Sequence, residues 1–101
     1  MKIDLQAVED AAMTLYIRAL KVLPPDVKTG LDRLTQTETG ATAKSVLATM
    51  VTNIRVAEAT DNLLCQDTGI PIYNLLIGSN VQVDGHALKQ AIRRGCERAT
   101  R

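Results

Sequence analysis

The sequence predicts an α+β protein that is mostly helical: three N-terminal amphipathic helices, a loop, one β-strand and a C-terminal helix. Three observations predict this class. Apolar residues recur at steps of three and four within residues 4–23, 25–35 and 42–59, which is the spacing of one helix face in each segment. Residues 70–78 change to a run of aliphatic residues typical of a strand. The chain has two Tyr, no Phe and no Trp, so aliphatic residues must fill the core, which favours helix packing.

The first helix is predicted over residues 4–23. Its apolar stripe consists of Leu5, Val8, Ala12, Leu15, Ala19 and Val22, and the charged residues Glu9 and Asp10 lie mostly off that stripe. Pro24-Pro25 ends the helix, because the residue before a proline avoids the helical region and proline has no N–H to donate. Pro25 also suits the first position of a second helix, which is predicted to extend to about Thr35.

A polar, threonine-rich connector over residues 35–42 precedes the clearest amphipathic helix, which extends to about Ala59. The apolar face of this third helix consists of Ala43, Leu47, Met50, Ile54 and Ala57. Residues 70–78 are then predicted to form the strand, with Pro71 near its start or on a sheet edge. Asp84-Gly85 provides a turn and a helix start, so the final helix is predicted to follow it and reach about Thr100.

Composition and charge argue against several classes of protein. Residues 1–101 fit one domain and are expected to form a single region. The formal net charge of +1 gives no reason to expect nucleic acid or a membrane surface as a partner. The N-terminus lacks the pattern of a secretory signal, and no apolar run is long enough to span a bilayer. A cytoplasmic location is therefore expected, where Cys65 and Cys96 stay reduced.

Residues Cys65–Gly69 form an isolated polar cluster between the third helix and the predicted strand. The cluster offers a thiolate from Cys65, an amide from Gln66, a carboxylate from Asp67 and a hydroxyl from Thr68. Gly69 allows a backbone conformation that is closed to other residues. From the residues alone, two interpretations are open: the four groups converge on a small anionic ligand, or they form a capped turn with a buried, inert cysteine.

The motif Cys-Gln-Asp-Thr-Gly, followed by an aliphatic segment ending in Ile77-Gly78, resembles the cluster-binding segment of class I fumarases and tartrate dehydratases. It occurs there in the alpha subunit or N-terminal domain. The resemblance extends to Leu23–Val27, which is similar to the family's inter-helix motif, and to residues 87–100, which are similar to its next helix. It covers nearly the whole chain, and the five-residue motif is its most specific part.

The resemblance implies a [4Fe-4S] cluster held by three cysteine thiolates, with one iron open to substrate. Cys65 would be a cluster ligand, Gln66 would hydrogen-bond the substrate, and Asp67 would bind it or transfer a proton. Thr68 would orient the pair. The substrate would be a C4 dicarboxylate, either fumarate and malate or tartrate and oxaloacetate, and residues that separate these substrates are not expected in this segment.

One motif cysteine cannot hold a cubane cluster, so the chain is expected to be an N-terminal fragment that is inactive alone. Cys96 occupies an apolar position of the last helix, where the family usually has a small aliphatic residue, and is predicted to be a core residue. The other two ligands and a substrate-binding arginine are expected beyond Arg101, in the remaining catalytic domain or a beta subunit. The parent protein is expected to be a homo- or hetero-oligomer.

Two further features have structural explanations. His86 is predicted to be exposed or to lie in the cap of the final helix. A basic group in that helix, opposed only by Glu97, is predicted to be a solvated face or a contact with the rest of the enzyme; it consists of Lys89, Arg93, Arg94, Arg98 and Arg101. Nucleic-acid binding is disfavoured because no aromatic residue accompanies this group.

Two other functions stay open. The amphipathic helices and the incomplete site are compatible with a small helical protein-interaction module without catalytic activity. A redox-active thiol protein is less favoured, because no second cysteine stands at Cys-x-x-Cys spacing.

Overall fold

The structure of the chain is a computed structural model, which describes residues 2–64 and 69–101. It contains four α-helices: α1 over Leu5–Lys21, α2 over Pro25–Thr37, α3 over Ala41–Thr60 and α4 over Gly85–Ala99. All four helices were predicted from the sequence, and their ends lie within a few residues of the predicted ones. In the described helices, no segment is both long and apolar enough to cross a bilayer.

The prediction of a strand over residues 70–78 is wrong, and so is the prediction of an α+β fold class. Throughout residues 2–64 and 69–101 the regular structure is helical, and the one β-type pairing is an isolated parallel bridge between Lys2 and Gln82. A strand needs a neighbour to accept and donate its backbone hydrogen bonds. Residues 70–78 have suitable side chains but no partner strand among the described residues, and Ile70, Ile72 and Leu76 are exposed.

The described residues divide into two compact units, one of residues 2–18 with 69–101 and one of residues 19–64. In the first unit, α4 packs on the earlier part of α1 through small side chains: Ala12 and Ala91 are buried, and so is Gly95. A Cβ atom at position 95 would collide with the Glu9 carbonyl oxygen and lie 2.7 Å from the Ala12 Cβ. The two helices therefore approach more closely than a side chain at residue 95 would permit.

The second unit is built on α2 and α3. Pro25 occupies the first position of α2, as predicted, and Lys28 of α2 forms an ion pair with Glu58 of α3. The helix α3 ends where Asp61 adopts a left-handed conformation with φ of 54°. The Asp61 carboxylate accepts a hydrogen bond from Lys21 Nζ at 3.3 Å, which joins the end of α3 to the end of α1.

Candidate functional site

The four predicted site residues, Cys65, Gln66, Asp67 and Thr68, lie outside the described residues. Their roles therefore stay predictions. The structure does describe the residues on either side of them, Leu64 and Gly69, and the groups that hold these two flanks.

The residue that precedes Cys65 is held by two hydrogen bonds. The Leu64 N–H donates to the Leu20 carbonyl oxygen at 2.9 Å, and the Leu64 carbonyl accepts from Asn53 Nδ2 at 3.0 Å. Leu20 belongs to the last turn of α1, whose carbonyls have no partner within their own helix. The Leu64 N–H thus provides a partner for a carbonyl at the end of α1, and the Asn53 side chain of α3 holds the Leu64 carbonyl. No pattern in the sequence pointed to Asn53.

On the other flank, Gly69 has a φ of +52°, in the left-handed region that glycine enters without penalty. A Cβ atom at this position would meet nothing within 4 Å. The requirement for glycine is therefore conformational rather than one of space, which confirms the interpretation of Gly69 made from the sequence.

Tyr73 joins the segment after Gly69 to α1 and α4 within the first unit. Its hydroxyl donates to the Ala12 carbonyl oxygen at 2.8 Å and accepts from the Cys96 thiol at 3.4 Å. Burial, followed by the contact with Cys96, raises the pKa of Tyr73 far above its usual range, so the phenol stays protonated. Cys96 is half-buried in this contact, in agreement with a packing role. Among the described residues, no group of three or more His, Cys, Asp or Glu side chains could hold a metal ion.

An ion-pair cluster joins α1 to α4. The carboxylate of Glu9, whose side chain is only 11% exposed, accepts from Arg94 Nε at 2.6 Å and from Arg98 Nη1 at 2.8 Å. Arg98 also donates to Asp10 at 2.6 Å. Two arginines of the basic group of α4, Arg94 and Arg98, therefore pair with the acidic residues of α1, a contact that was not predicted from the sequence. The acidic pair and the spacing of Arg94 and Arg98 by one helical turn were the signals available in the sequence.

His86 lies in the cap of α4, as predicted. Asp84 is the N-cap residue, and its carboxylate accepts a hydrogen bond from the His86 backbone N–H at 3.0 Å. The His86 side chain is exposed.

The Glu9 cluster predicts acid sensitivity of the first unit. The hydrogen bond from Arg94, assisted by Arg98 and opposed by burial, lowers the pKa of Glu9 below its ordinary value of 4.5. A carboxylate with a lowered pKa stabilises the fold fully above the pKa of the unfolded chain, and this stabilisation is lost as pH falls through the folded pKa. We expect the melting temperature of the wild type to decrease when the pH is lowered beneath about 4.5. Thermal unfolding across pH 3–7 measures this.

The variant Glu9→Gln should have a lower melting temperature than the wild type at neutral pH. Its melting temperature should also decrease less than that of the wild type when the pH is lowered. Glu97→Gln is the matched control, because Glu97 pairs with Arg101 at an exposed site within one helix and such pairs contribute little. If Glu9→Gln and Glu97→Gln gave the same pH profile, the stabilising role of the cluster would be refuted.

Comparisons with known proteins place the chain in a family. The model of the fumarate hydratase (fumerase) family matches residues 9–101. A Methanocaldococcus jannaschii protein that carries the name of an L(+)-tartrate dehydratase subunit alpha is 35% identical over 95 residues, which cover 92% of this chain and 33% of that protein. A Geobacillus stearothermophilus protein that carries the name of a class I fumarate hydratase is 28% identical over 88 residues, covering 86% of this chain and 17% of that protein.

No solved structure is significantly similar to the chain. The chain spans a third or less of the length of these two relatives. The family match nevertheless includes the Cys65–Gly69 motif and all of α2, α3 and α4. The chain therefore belongs to the fumarate hydratase family.

Proposed function

We propose that this chain is part of a [4Fe-4S]-dependent hydro-lyase that reversibly adds or removes water on a C4 dicarboxylate. The substrate pair would be fumarate and malate or tartrate and oxaloacetate. The observation that carries the proposal is the family match over residues 9–101, within which the Cys65–Gly69 motif lies. The names of both relatives, a tartrate dehydratase subunit and a class I fumarate hydratase, support this reaction class.

The ligand chemistry fits a cluster whose coordination is shared with other parts of the protein. Iron–sulfur clusters are held by cysteine thiolates, and Cys65 supplies one. Cys96 is engaged with Tyr73 at 3.4 Å and packs between elements of the first unit, so it is not proposed as a second. We therefore propose that the other two ligands come from the portion of the relatives' length that this chain does not cover.

When bound, the cluster would supply a Lewis-acidic iron that makes the substrate hydroxyl a better leaving group. The chain's own contribution is proposed to come from three polar side chains. Gln66 would donate its amide hydrogens to a substrate carboxylate, and Asp67 would bind the substrate or move the proton. Thr68 would orient this pair by hydrogen bonding. The thiolate of Cys65 requires a reducing compartment, and we propose the cytoplasm.

The partners follow from the same proposal. One relative is named as an alpha subunit, and the chain covers a minor part of both. We propose that the active protein contains a further catalytic region, either in the same polypeptide or in a beta subunit, and that it is an oligomer.

Anaerobic reconstitution of the full-length protein with iron and sulfide tests the proposal. The reconstituted protein should be brown, contain about four iron and four sulfide per active centre, and interconvert fumarate and malate or dehydrate tartrate. Assays on all three substrates identify which one it uses. A full-length protein that binds no iron–sulfur cluster under these conditions, or that binds one without acting on any of them, would contradict the proposal.

A further inference from the structure

We infer that Asn53 is a positioning residue of the proposed site, acting by holding the backbone carbonyl that immediately precedes Cys65. The inference rests on the proposed function, because it assigns Asn53 the role of positioning the proposed cluster ligand Cys65. It adds a residue that lies outside the Cys65–Gly69 motif and on a different secondary-structure element, the helix α3.

The contact is a side-chain to backbone hydrogen bond. Asn53 Nδ2 donates to the Leu64 carbonyl oxygen at 3.0 Å, a normal distance for an N–H···O bond. The Leu64 carbonyl belongs to the peptide group that joins Leu64 to Cys65, and a peptide group is planar and rigid. Holding this carbonyl therefore restrains the orientation of the peptide group through which Leu64 is bonded to Cys65.

The same residue is held on its other side. The Leu64 N–H donates to the Leu20 carbonyl at 2.9 Å, so both backbone polar groups of Leu64 have partners. The bond to Leu20 joins two backbone groups and does not depend on a side chain. The bond from Asn53 is the one of the two that depends on a side chain, and it is the one nearer to Cys65.

Helix formation does not explain an asparagine at this place. Asn53 is exposed and lies well inside the 20-residue helix α3. Asparagine is a poorer helix former than alanine because its side chain competes for backbone hydrogen bonds. Nearby hydroxyls such as those of Thr49 and Thr60 bond to carbonyls of their own helix. Asn53 instead reaches a residue 11 positions ahead in the chain.

The contribution of Asn53 is one of position rather than of proton transfer, because an amide has no ionisation near neutral pH. The amide of Asn53 would instead act by holding the peptide group that precedes Cys65. Small displacements of a reacting group reduce turnover by as much as about 100-fold. The expected signature is therefore a loss of turnover per bound cluster, together with a changed accessibility of the Cys65 thiol.

The test uses the full-length protein with Asn53→Ala, which removes the donor, and Asn53→Asp, which keeps the shape but replaces the donor by a carboxylate oxygen. The rate of iodoacetamide alkylation at Cys65 is measured on the cluster-free protein by peptide mass spectrometry, with Cys96 as the internal reference. In both variants the Cys65 rate should rise while that of Cys96 stays unchanged. After reconstitution, turnover per bound cluster should fall by about 10-fold or more.

Asn53→Gln keeps an amide on a longer side chain and should restore part of both properties. Asn62→Ala is the matched control, because the Asn62 amide is also exposed in this unit but donates to Thr60 Oγ1 at 2.8 Å. It should behave as the wild type. If Asn53→Ala or Asn53→Asp lowered only the melting temperature, with alkylation and turnover per cluster unchanged, the positioning role would be overturned.

The outcomes also separate this inference from the proposed function. If Cys65→Ser kept its cluster, the proposed function would fail whatever the Asn53 variants did. If Cys65 proved necessary for the cluster while the Asn53 variants matched the wild type, only the positioning role would fail.

Discussion

Replacing Cys65 by serine in the full-length protein is expected to abolish both cluster incorporation and hydro-lyase turnover. Clusters of this type are held by thiolates, and a serine hydroxyl is a hard, neutral oxygen donor at neutral pH. Losing one of three proposed ligands leaves a cluster held at two corners. Iron and sulfide analysis, visible absorption after anaerobic reconstitution, and assays with fumarate, malate and tartrate measure the effect.

The matched control is Cys96→Ser, because Cys96 is the other cysteine of the chain. Its thiol donates to Tyr73 at 3.4 Å, and a serine hydroxyl can donate in the same way. Cys96→Ser should retain the cluster and turnover, with at most a small loss of stability. Retention of cluster and activity in Cys65→Ser, or loss of the cluster in Cys96→Ser, would contradict the assignment of ligands.

Gly95→Ala is expected to lower the free energy of unfolding by about 3 kcal/mol, near the upper end of overpacking effects. The added methyl group would collide with the Glu9 carbonyl oxygen, and it would lie 2.7 Å from the Ala12 Cβ and 3.0 Å from the Met13 nitrogen. Two of these three atoms belong to the α1 backbone, so no side-chain rotation relieves the collision. Urea denaturation of the protein followed by circular dichroism measures the change.

Gly30→Ala provides the control of opposite sign. Gly30 also lies within a helix, α2, but a Cβ atom there would meet nothing within 4 Å. Alanine is favoured over glycine in a helix by roughly 0.5–1 kcal/mol, so this variant should be slightly more stable than the wild type. A stability of Gly95→Ala equal to or above that of Gly30→Ala would show that α1 and α4 do not pack as closely as described.

The helices could be predicted because their signals are local. Pro24-Pro25 separates α1 from α2 by removing a backbone donor, whatever surrounds it. Asp84 caps α4 through a bond to a residue only two positions away. The period of the apolar residues in α3 likewise depends on sequence spacing alone. Such signals act within a few residues, so the chain carries them independently of its tertiary contacts.

The strand could not be predicted by the same reasoning. The aliphatic run from Ile70 to Ile77 reports which side chains would suit a sheet, yet a strand exists only when another segment pairs with it. β-Propensity therefore depends on context, and the prediction failed at the step that required a partner. Residues of this segment, such as Ile72 and Leu76, are exposed instead.

The candidate site, too, could be predicted from the sequence only in part. The Cys65–Gly69 motif was found in the sequence because its residues are consecutive, and the conformation of Gly69 agrees with the reason given for a glycine there. Asn53 was missed because its partner, Leu64, lies 11 residues away and is a backbone group that carries no mark in the sequence. Arg94 and Glu9 are 85 residues apart, and only packing brings them to 2.6 Å.

By itself, the sequence determined four helices, their ends, the family resemblance and a five-residue motif with a thiol, an amide, a carboxylate and a hydroxyl. Tertiary structure decided that residues 70–78 form no strand, that Gly95 is required by the approach of α4 to α1, and that Asn53 holds the residue before Cys65. The physical reason is range. Helix periodicity and capping act between neighbours in the chain. Strand pairing, close packing and hydrogen bonds between residues far apart in the sequence form only after distant segments have met.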